Sequence, residues 1–185
     1  MASSLNHRTG PLRVLLVEDN PGDVFLITEM LSDAPRRLEI ESVGLLADAL
    51  RRLDAGGIDV VVSDLSLPDS RGLETFEKLH SHASRTPIII LSGFDDERMA
   101  LRTVELGAQD YLVKGQVDQA LLVRSIQYSI TRAELDSALE NERNLLRSAI
   151  LELKERNAEI EDDLNLAREV QQAFLPQQFP SFPKD

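Results

Sequence analysis

Val60-Val61-Val62-Ser63-Asp64-Leu65 is a short apolar run, rich in β-branched residues, that ends on a carboxylate. A run of this length and type reads as a strand buried on both faces of a parallel sheet. An acid at its end fits the carboxyl edge of an open α/β sheet, where such folds keep their sites. It fits equally a turn towards Pro68 or a cap on a following helix. Asp64 alone does not decide between these readings.

Other runs of the same kind lie on either side. Arg13-Val14-Leu15-Leu16-Val17 is a second buried strand and ends in Glu18-Asp19-Asn20. Pro21-Gly22-Asp23 starts a helix with Val24, Ile27, Met30 and Leu31 on one face. Leu38-Glu39-Ile40-Glu41-Ser42-Val43 alternates as a half-covered strand does. A helix over 47–53 is stopped by Gly56-Gly57. After the Asp64 strand come Pro68 and Gly72, then a helix through Phe76 and Leu79. Pro87-Ile88-Ile89-Ile90-Leu91-Ser92 is a fourth strand, 95–106 a helix closed by Gly107, and Asp110-Tyr111-Leu112-Val113 a fifth strand with Lys114 at its end. A last helix begins near Asp118. Five strands alternating with helices predict a parallel sheet covered on both faces.

Composition narrows the function. The 185 residues suffice for one domain and an extension, and 42% hydrophobic residues supply a core. The net charge of -12 argues against nucleic acid as a partner. Without cysteine there is no disulfide, thiol nucleophile or Cys-ligated zinc. No apolar stretch approaches the roughly 20 residues of a membrane span. Residues 1–11 lack a signal-peptide core and read as a loose leader, so a cytoplasmic protein is expected.

In a parallel sheet all strands end at one edge, which gathers Glu18, Asp19, Asp64, Ser92 and Lys114. Carboxylates about 5 Å apart repel by about 3 kcal/mol per pair at an effective dielectric near 20. A hard divalent cation removes that cost, and Mg²⁺ favours one or two carboxylates with waters and phosphate oxygens. Asp64 is then a candidate nucleophile for aspartyl-phosphate chemistry. Ser92 and Lys114 are candidates to hold the phosphoryl oxygens. Taken singly, Lys114 is also an ordinary solvated lysine, Ser92 a helix cap, and Tyr111 a core residue. His80 and His82, two apart near a helix end, read as surface residues with no metal.

This set resembles the receiver domain of two-component response regulators over about residues 12–132. The resemblance rests on Glu18-Asp19, on Asp64 with Pro68 and Gly72 downstream, on Ser92-Gly93, and on Tyr111 three residues before Lys114. It implies a five-stranded parallel, doubly wound α/β sheet of the flavodoxin-like type. It implies that Asp64 accepts a phosphoryl group from a cognate histidine kinase or phosphotransfer protein. Mg²⁺ would be held by Asp19, Asp64 and the backbone carbonyl of Ser66, with Glu18 acting through water. Ser92 and Lys114 would bind the phosphoryl group, and Ser92 with Tyr111 would form a switch pair. In one respect the chain departs from the family, which usually has proline after this lysine, often with a cis bond. Gly115 stands here, and a cis bond to a non-proline residue costs about 2.5–4 kcal/mol. The Lys114-Gly115 bond is therefore either trans or held under strain.

Three other classes compete. A haloacid-dehalogenase-type phosphatase needs a second aspartate two residues after the nucleophile, where this chain has Ser66. A flavodoxin-like FMN binder needs a hydroxyl- and glycine-rich phosphate loop after the first strand, where Glu18-Asp19-Asn20 would repel phosphate. A receiver-like unit used only for dimerisation or docking remains open.

From about Ala133 the composition changes. Glycine is absent after Gly115 and proline does not recur until Pro176. A helix from Asp118 to Leu175 would be about 85 Å long and would have to project from the domain. Leu139, Leu146, Leu153, Ile160, Ala167 and Phe174 recur every seven residues as d positions, with Arg143, Ile150, Asn157, Leu164 and Gln171 at a. This is a coiled-coil seam of a homodimer, over 133–175, with Asn157 as the polar residue that selects register. The alternative is a solvated single helix laced by ion pairs.

Leu166-Ala167-Arg168-Glu169-Val170-Gln171-Gln172-Ala173-Phe174-Leu175-Pro176 looks like the lead-in to a PPM-type serine/threonine phosphatase domain of the stress-signalling kind. That resemblance implies that residues 176–185 are the irregular start of an output domain and that the 185 residues are truncated. The alternative is a chain whose coil itself docks a partner.

Overall fold

The computed structural model describes residues 10–32, 34–93 and 97–174. The elements are β1 Leu12–Val17, α1 Pro21–Ser32, β2 Leu38–Val43, α2 Leu46–Asp54 and β3 Val60–Asp64. They continue with β4 Ser66–Leu67, β5 Ser70–Arg71, α3 Leu73–His82, β6 Ile88–Ser92, α4 Glu97–Glu105, β7 Asp110–Val113 and α5 Gln119–Phe174. The five main strands form one parallel sheet in the order β2-β1-β3-β6-β7. The expected parallel α/β fold with a long C-terminal helix is the one observed. The strands predicted over 13–17, 60–65 and 87–92 differ from the observed ones by a single residue at one end.

Every residue of β3 is buried, because the strand lies at the middle of the sheet between β1 and β6. Its side chains alternate between two cores. Val60 and Val62 join Val14, Leu16, Ile89 and Leu91 under α1 and the start of α5, through Ile27, Leu31, Leu122 and Ile126. Val61 and Leu65 join Leu15, Val17, Ile88 and Ile90 under α2 and α3, through Ala49, Phe76 and Leu79. The expected alternation in β2 is not seen. As an edge strand it has five of six residues half-buried, and only Ser42 is exposed. Of the helix α1 face, Ile27 and Leu31 are buried, with Val24 and Met30 packed beside them.

Local chemistry sets the helix limits. The Asn20 side chain accepts the Gly22 N–H at 2.9 Å and Pro21 occupies the first helical position, a favoured start for α1. Asp118 accepts the Leu121 N–H at 2.7 Å and so caps α5, as expected near that residue. The predicted helix start at Asp95 lies outside the described residues, as do the leader 1–9 and the tail 175–185.

A short antiparallel hairpin of β4 and β5, absent from the sequence-based expectation, carries the chain away from Asp64, with Leu67 opposite Ser70. Gly72, at φ 64°, ends it by donating its N–H to Leu65 O at 2.7 Å. Glycine enters that left-handed region without a Cβ penalty. Asp69 in the hairpin caps a distant helix. Its carboxylate accepts the N–H groups of Leu46 at 2.8 Å and Ala47 at 2.9 Å. The Ala47 N–H leads in holding the carboxyl below its usual range. Asp69→Ala should therefore lower stability by about 1 kcal/mol, measured by urea denaturation at neutral pH. A lowered carboxylate contributes fully above its unfolded value near 4, and the contribution is lost as pH falls through the folded value. The variant and the wild type should thus converge in stability as the solution is acidified. A constant difference down to about pH 2 would contradict the capping account.

The chain divides into two compact units that meet between Ser137 and Ala138. Helix α5 supplies 119–137 to the first unit and 138–174 to the second. In the first, Ser125 Oγ donates to Asp110 Oδ2 at 2.5 Å, tying α5 to the start of β7. In the second, Leu139, Leu146, Ile150, Leu153, Ile160 and Leu164 are all exposed in the single chain. No described helix is long and apolar enough to cross a membrane.

Candidate functional site

Sheet register builds the site. Val17 pairs with Ser63, so Glu18 follows β1 where Asp64 ends β3. Asp64 pairs with Leu91, which places Ser92 one residue further along β6. Ser92 pairs with Val113, and Lys114 donates its N–H to Ser92 O at 2.9 Å. The sequence-predicted residues are therefore neighbours at one edge.

Glu18, Asp19 and Asp64 each offer a carboxylate oxygen within 4.8 Å of the others. Glu18 and Asp64 are buried, and Asp19 is exposed. Lys114 Nζ reaches into the group, 2.5 Å from Asp64 Oδ2, 2.7 Å from Glu18 Oε2 and 2.9 Å from Asp23 Oδ2. The approach to Glu18 Oε2 is out of line for a hydrogen bond, so that contact is chiefly Coulombic. Asp64 Oδ1 accepts the Ser66 N–H at 3.0 Å, and Glu18 Oε1 accepts the Asn20 N–H at 3.1 Å. Both oxygens of Asp64 are thus engaged and its side chain is fixed.

The charges are perturbed accordingly. Burial pushes the Glu18 carboxyl up, against the pull of Lys114 and the Asn20 N–H. Burial works against the Lys114 ammonium, but the hydrogen bonds it donates to Asp64 and Asp23, with the close Glu18 carboxylate, outweigh it and hold its pKa well above the usual lysine range. Four carboxylates thus stand against one ammonium, and the net negative charge suits a cation. Three convergent carboxylate oxygens, with Glu18 Oε2 buried and without a hydrogen bond among the described residues, fit a hard oxygen-seeking ion such as Mg²⁺.

The peptide bond after Lys114 is trans, because no cis bond occurs among the described residues. Gly115 therefore stands in the place of proline without strain, and Lys114 still reaches Asp64. Ser92 is buried and its Oγ donates to Gly93 O at 3.3 Å. Tyr111 packs against the second core, with its hydroxyl buried and no hydrogen-bond partner among the described residues. His82 Nε2 lies 2.7 Å from Asp54 Oδ1, and His80 stacks on Phe76 at 5.3 Å between ring centroids. Neither histidine enters the site. Asp23 does, and sequence reading missed it. Its placement in the first turn of α1, next to a strand-end acidic pair, was the available signal.

Comparison with known proteins agrees with this geometry. Residues 14–127 match the family model described as the response regulator receiver domain. The KDP operon transcriptional regulatory protein KdpE of Escherichia coli is 35% identical over 127 residues, 65% of this chain and 54% of that protein. The transcriptional regulatory protein FixJ of Azorhizobium caulinodans is 27% identical over 99 residues, 54% of this chain and 46% of that protein. The chain thus spans about half the length of these curated relatives. Among solved structures, a response regulator receiver domain from Clostridium thermocellum superposes with a TM-score of 0.61 at 25% identity, over 67% of this chain and 98% of that one. The receiver domain of a sensor histidine kinase from Pseudomonas aeruginosa, described with a magnesium ion coordinated in its active site cleft, gives 0.57 at 27% identity, over 66% and 99%.

Proposed function

Because this chain belongs to the response regulator receiver family, we propose that Asp64 is its phosphoacceptor in a two-component relay. The observation that carries this reading is the contact of Lys114 Nζ, 2.5 Å from Asp64 Oδ2, inside a cluster of three further carboxylates. A carboxylate oxygen of Asp64 attacks the phosphorus of a phosphohistidine on a kinase or phosphotransfer protein. The P–N bond breaks, the imidazole leaves with the electron pair and takes a proton from solvent, and an acyl phosphate remains on Asp64. Asp19, Asp64 and the Ser66 carbonyl would hold Mg²⁺, with Glu18 acting through water. The ion would neutralise charge on the phosphoryl oxygens. Lys114 pairs with one phosphoryl oxygen and Ser92 Oγ donates to another. The test is incubation with acetyl phosphate and Mg²⁺, followed by mapping of the modified residue by mass spectrometry. One phosphoryl group on Asp64 is expected; none, or one mapped elsewhere, overturns the reading.

Tyr111 with Ser92 forms the switch. The support is the buried Tyr111 hydroxyl, without a partner among the described residues, a state that costs about 1–3 kcal/mol and favours any rearrangement that satisfies it. When Ser92 turns to the phosphoryl group, the contact surface around Tyr111 changes.

The signal passes along 133–175, read as a parallel coiled-coil homodimer. The exposed seam of Leu139, Leu146, Ile150, Leu153, Ile160 and Leu164 supports this, since such a stripe needs cover. Asn157 at an a position pairs with its own copy only in a parallel, in-register dimer. The g-to-e pairs Glu142 with Arg147, Arg156 with Glu161 and Asp163 with Arg168 are attractive in that arrangement, each worth under about 1 kcal/mol. Ile150→Cys chains should crosslink to themselves on mild oxidation, seen as a dimer on non-reducing gels. Asn157→Leu should raise the thermal midpoint and loosen register. Crosslinking of Ile150→Cys only to a cysteine near the far end of the seam would mean antiparallel helices and end the model.

A cytoplasmic location and a PPM-type phosphatase output beyond 175 complete the reading, the latter supported by the motif ending in Leu175-Pro176. The names of FixJ and KdpE favour transcriptional control as the second reading, and the similarity to them spans about half of each of those proteins.

A further inference from the structure

The Lys114 backbone is tied to β6 through its N–H to Ser92 O at 2.9 Å, while the long side chain depends on its carboxylate partners for its position. Lys114 is followed by a glycine through a trans bond, and glycine leaves the chain free to turn. The ammonium has three N–H donors and meets three carboxylates, from Asp64, Glu18 and Asp23. Two of these partners hold it poorly if Asp64 is the phosphoacceptor. An oxygen of Asp64 becomes part of the acyl phosphate, and the Glu18 contact is out of line for a hydrogen bond. Asp23 both stays unmodified and accepts a hydrogen bond from Nζ, at 2.9 Å. It is also firmly mounted, in the first turn of a helix that Asn20 caps and that Ile27 and Leu31 anchor in the core.

We propose that Asp23 is a positioning residue, which holds the Lys114 ammonium in place while the phosphoryl group is transferred to Asp64. This rests on the phosphoacceptor reading above and adds to it a residue that does not touch the phosphoryl group. The Asp23 side chain is 30% exposed, and the substitution Asp23→Asn keeps the shape while removing the charge.

The experiment compares the wild type, Asp23→Asn and Asp23→Glu as full chains. The initial rate of labelling of Asp64 by acetyl phosphate with Mg²⁺ should fall about tenfold in Asp23→Asn, the equivalent of one partly exposed charge-assisted hydrogen bond. Asp23→Glu should recover most of that rate. The second readout needs no phosphoryl donor. The ¹⁵N–¹H signal of the Lys114 ammonium, protected from exchange by its carboxylates, should vanish in Asp23→Asn and return in Asp23→Glu. A purely structural role would not give recovery by the longer acid in both readouts. Labelling of Asp23→Asn at or above the wild-type rate, with label still on Asp64, overturns this inference and leaves the phosphoacceptor reading intact. A wild type that takes no label overturns both.

Discussion

Asp64→Asn should take up no phosphoryl group from acetyl phosphate or from a phosphohistidine donor, while keeping its fold. The chemistry is specific to the carboxylate, because a carboxamide cannot form an acyl phosphate. The carboxamide of this variant retains one oxygen for the Ser66 N–H, which Asp64 Oδ1 accepts at 3.0 Å. The lost partner is Lys114 Nζ, at 2.5 Å from Oδ2, and Lys114 still keeps Glu18 and Asp23. The cost to stability is thus about 1–3 kcal/mol, and removal of one acid from a crowded cluster offsets part of it. Circular dichroism should stay native while labelling drops to background. A variant labelled at the wild-type level would show that another residue is the acceptor.

The largest effect on stability is expected at Phe76. The side chain is 1% exposed, sits among Leu15, Val61, Leu79 and Ile90, and stacks on His80. Phe76→Ala removes those contacts and opens a cavity that a closely packed α/β layer cannot fully collapse, at about 3–5 kcal/mol. Typical domains have only about 5–15 kcal/mol in total. Urea denaturation should therefore show a large fall in midpoint with an unchanged slope. Phe25, 64% exposed on α1, provides the contrast, since Phe25→Ala should change stability by less than about 0.5 kcal/mol. Equal effects at the two positions would contradict the packing described.

The strands were legible because a buried parallel strand writes itself as an apolar run with a polar end. Val60 to Asp64 and Ile88 to Ser92 do so within a residue, and common polarity brings their ends together. What stayed hidden depends on contacts between distant parts of the chain. Asp23 looked like an ordinary acid in a first helical turn, and its partner is 91 residues away. Asp69 caps a helix that precedes it by 23 residues. The β4–β5 hairpin has two residues per strand, too few for any periodicity to register. The trans bond at Lys114-Gly115 required the surrounding turn to be known. The seam residues in 138–174 are exposed in the single chain, so the proposed dimer rests on their heptad spacing.

The strand order has a consequence for how the chain is made. From β1 the sheet adds β3, then β6, then β7, each beside the last, so this side can assemble in the order of synthesis. The acids do not share that convenience. Glu18, Asp19, Asp23 and Asp64 all leave the ribosome before Lys114, which follows Asp64 by 50 residues. At about 5–20 residues per second, that interval is about 3–10 s. During it, the nascent sheet edge carries four carboxylates without their ammonium. Docking of β7 is therefore the event that brings the one ammonium to these four acids and offsets part of their repulsion. Substitution of Lys114 would accordingly leave these acids without that offset during folding as well as in the finished site.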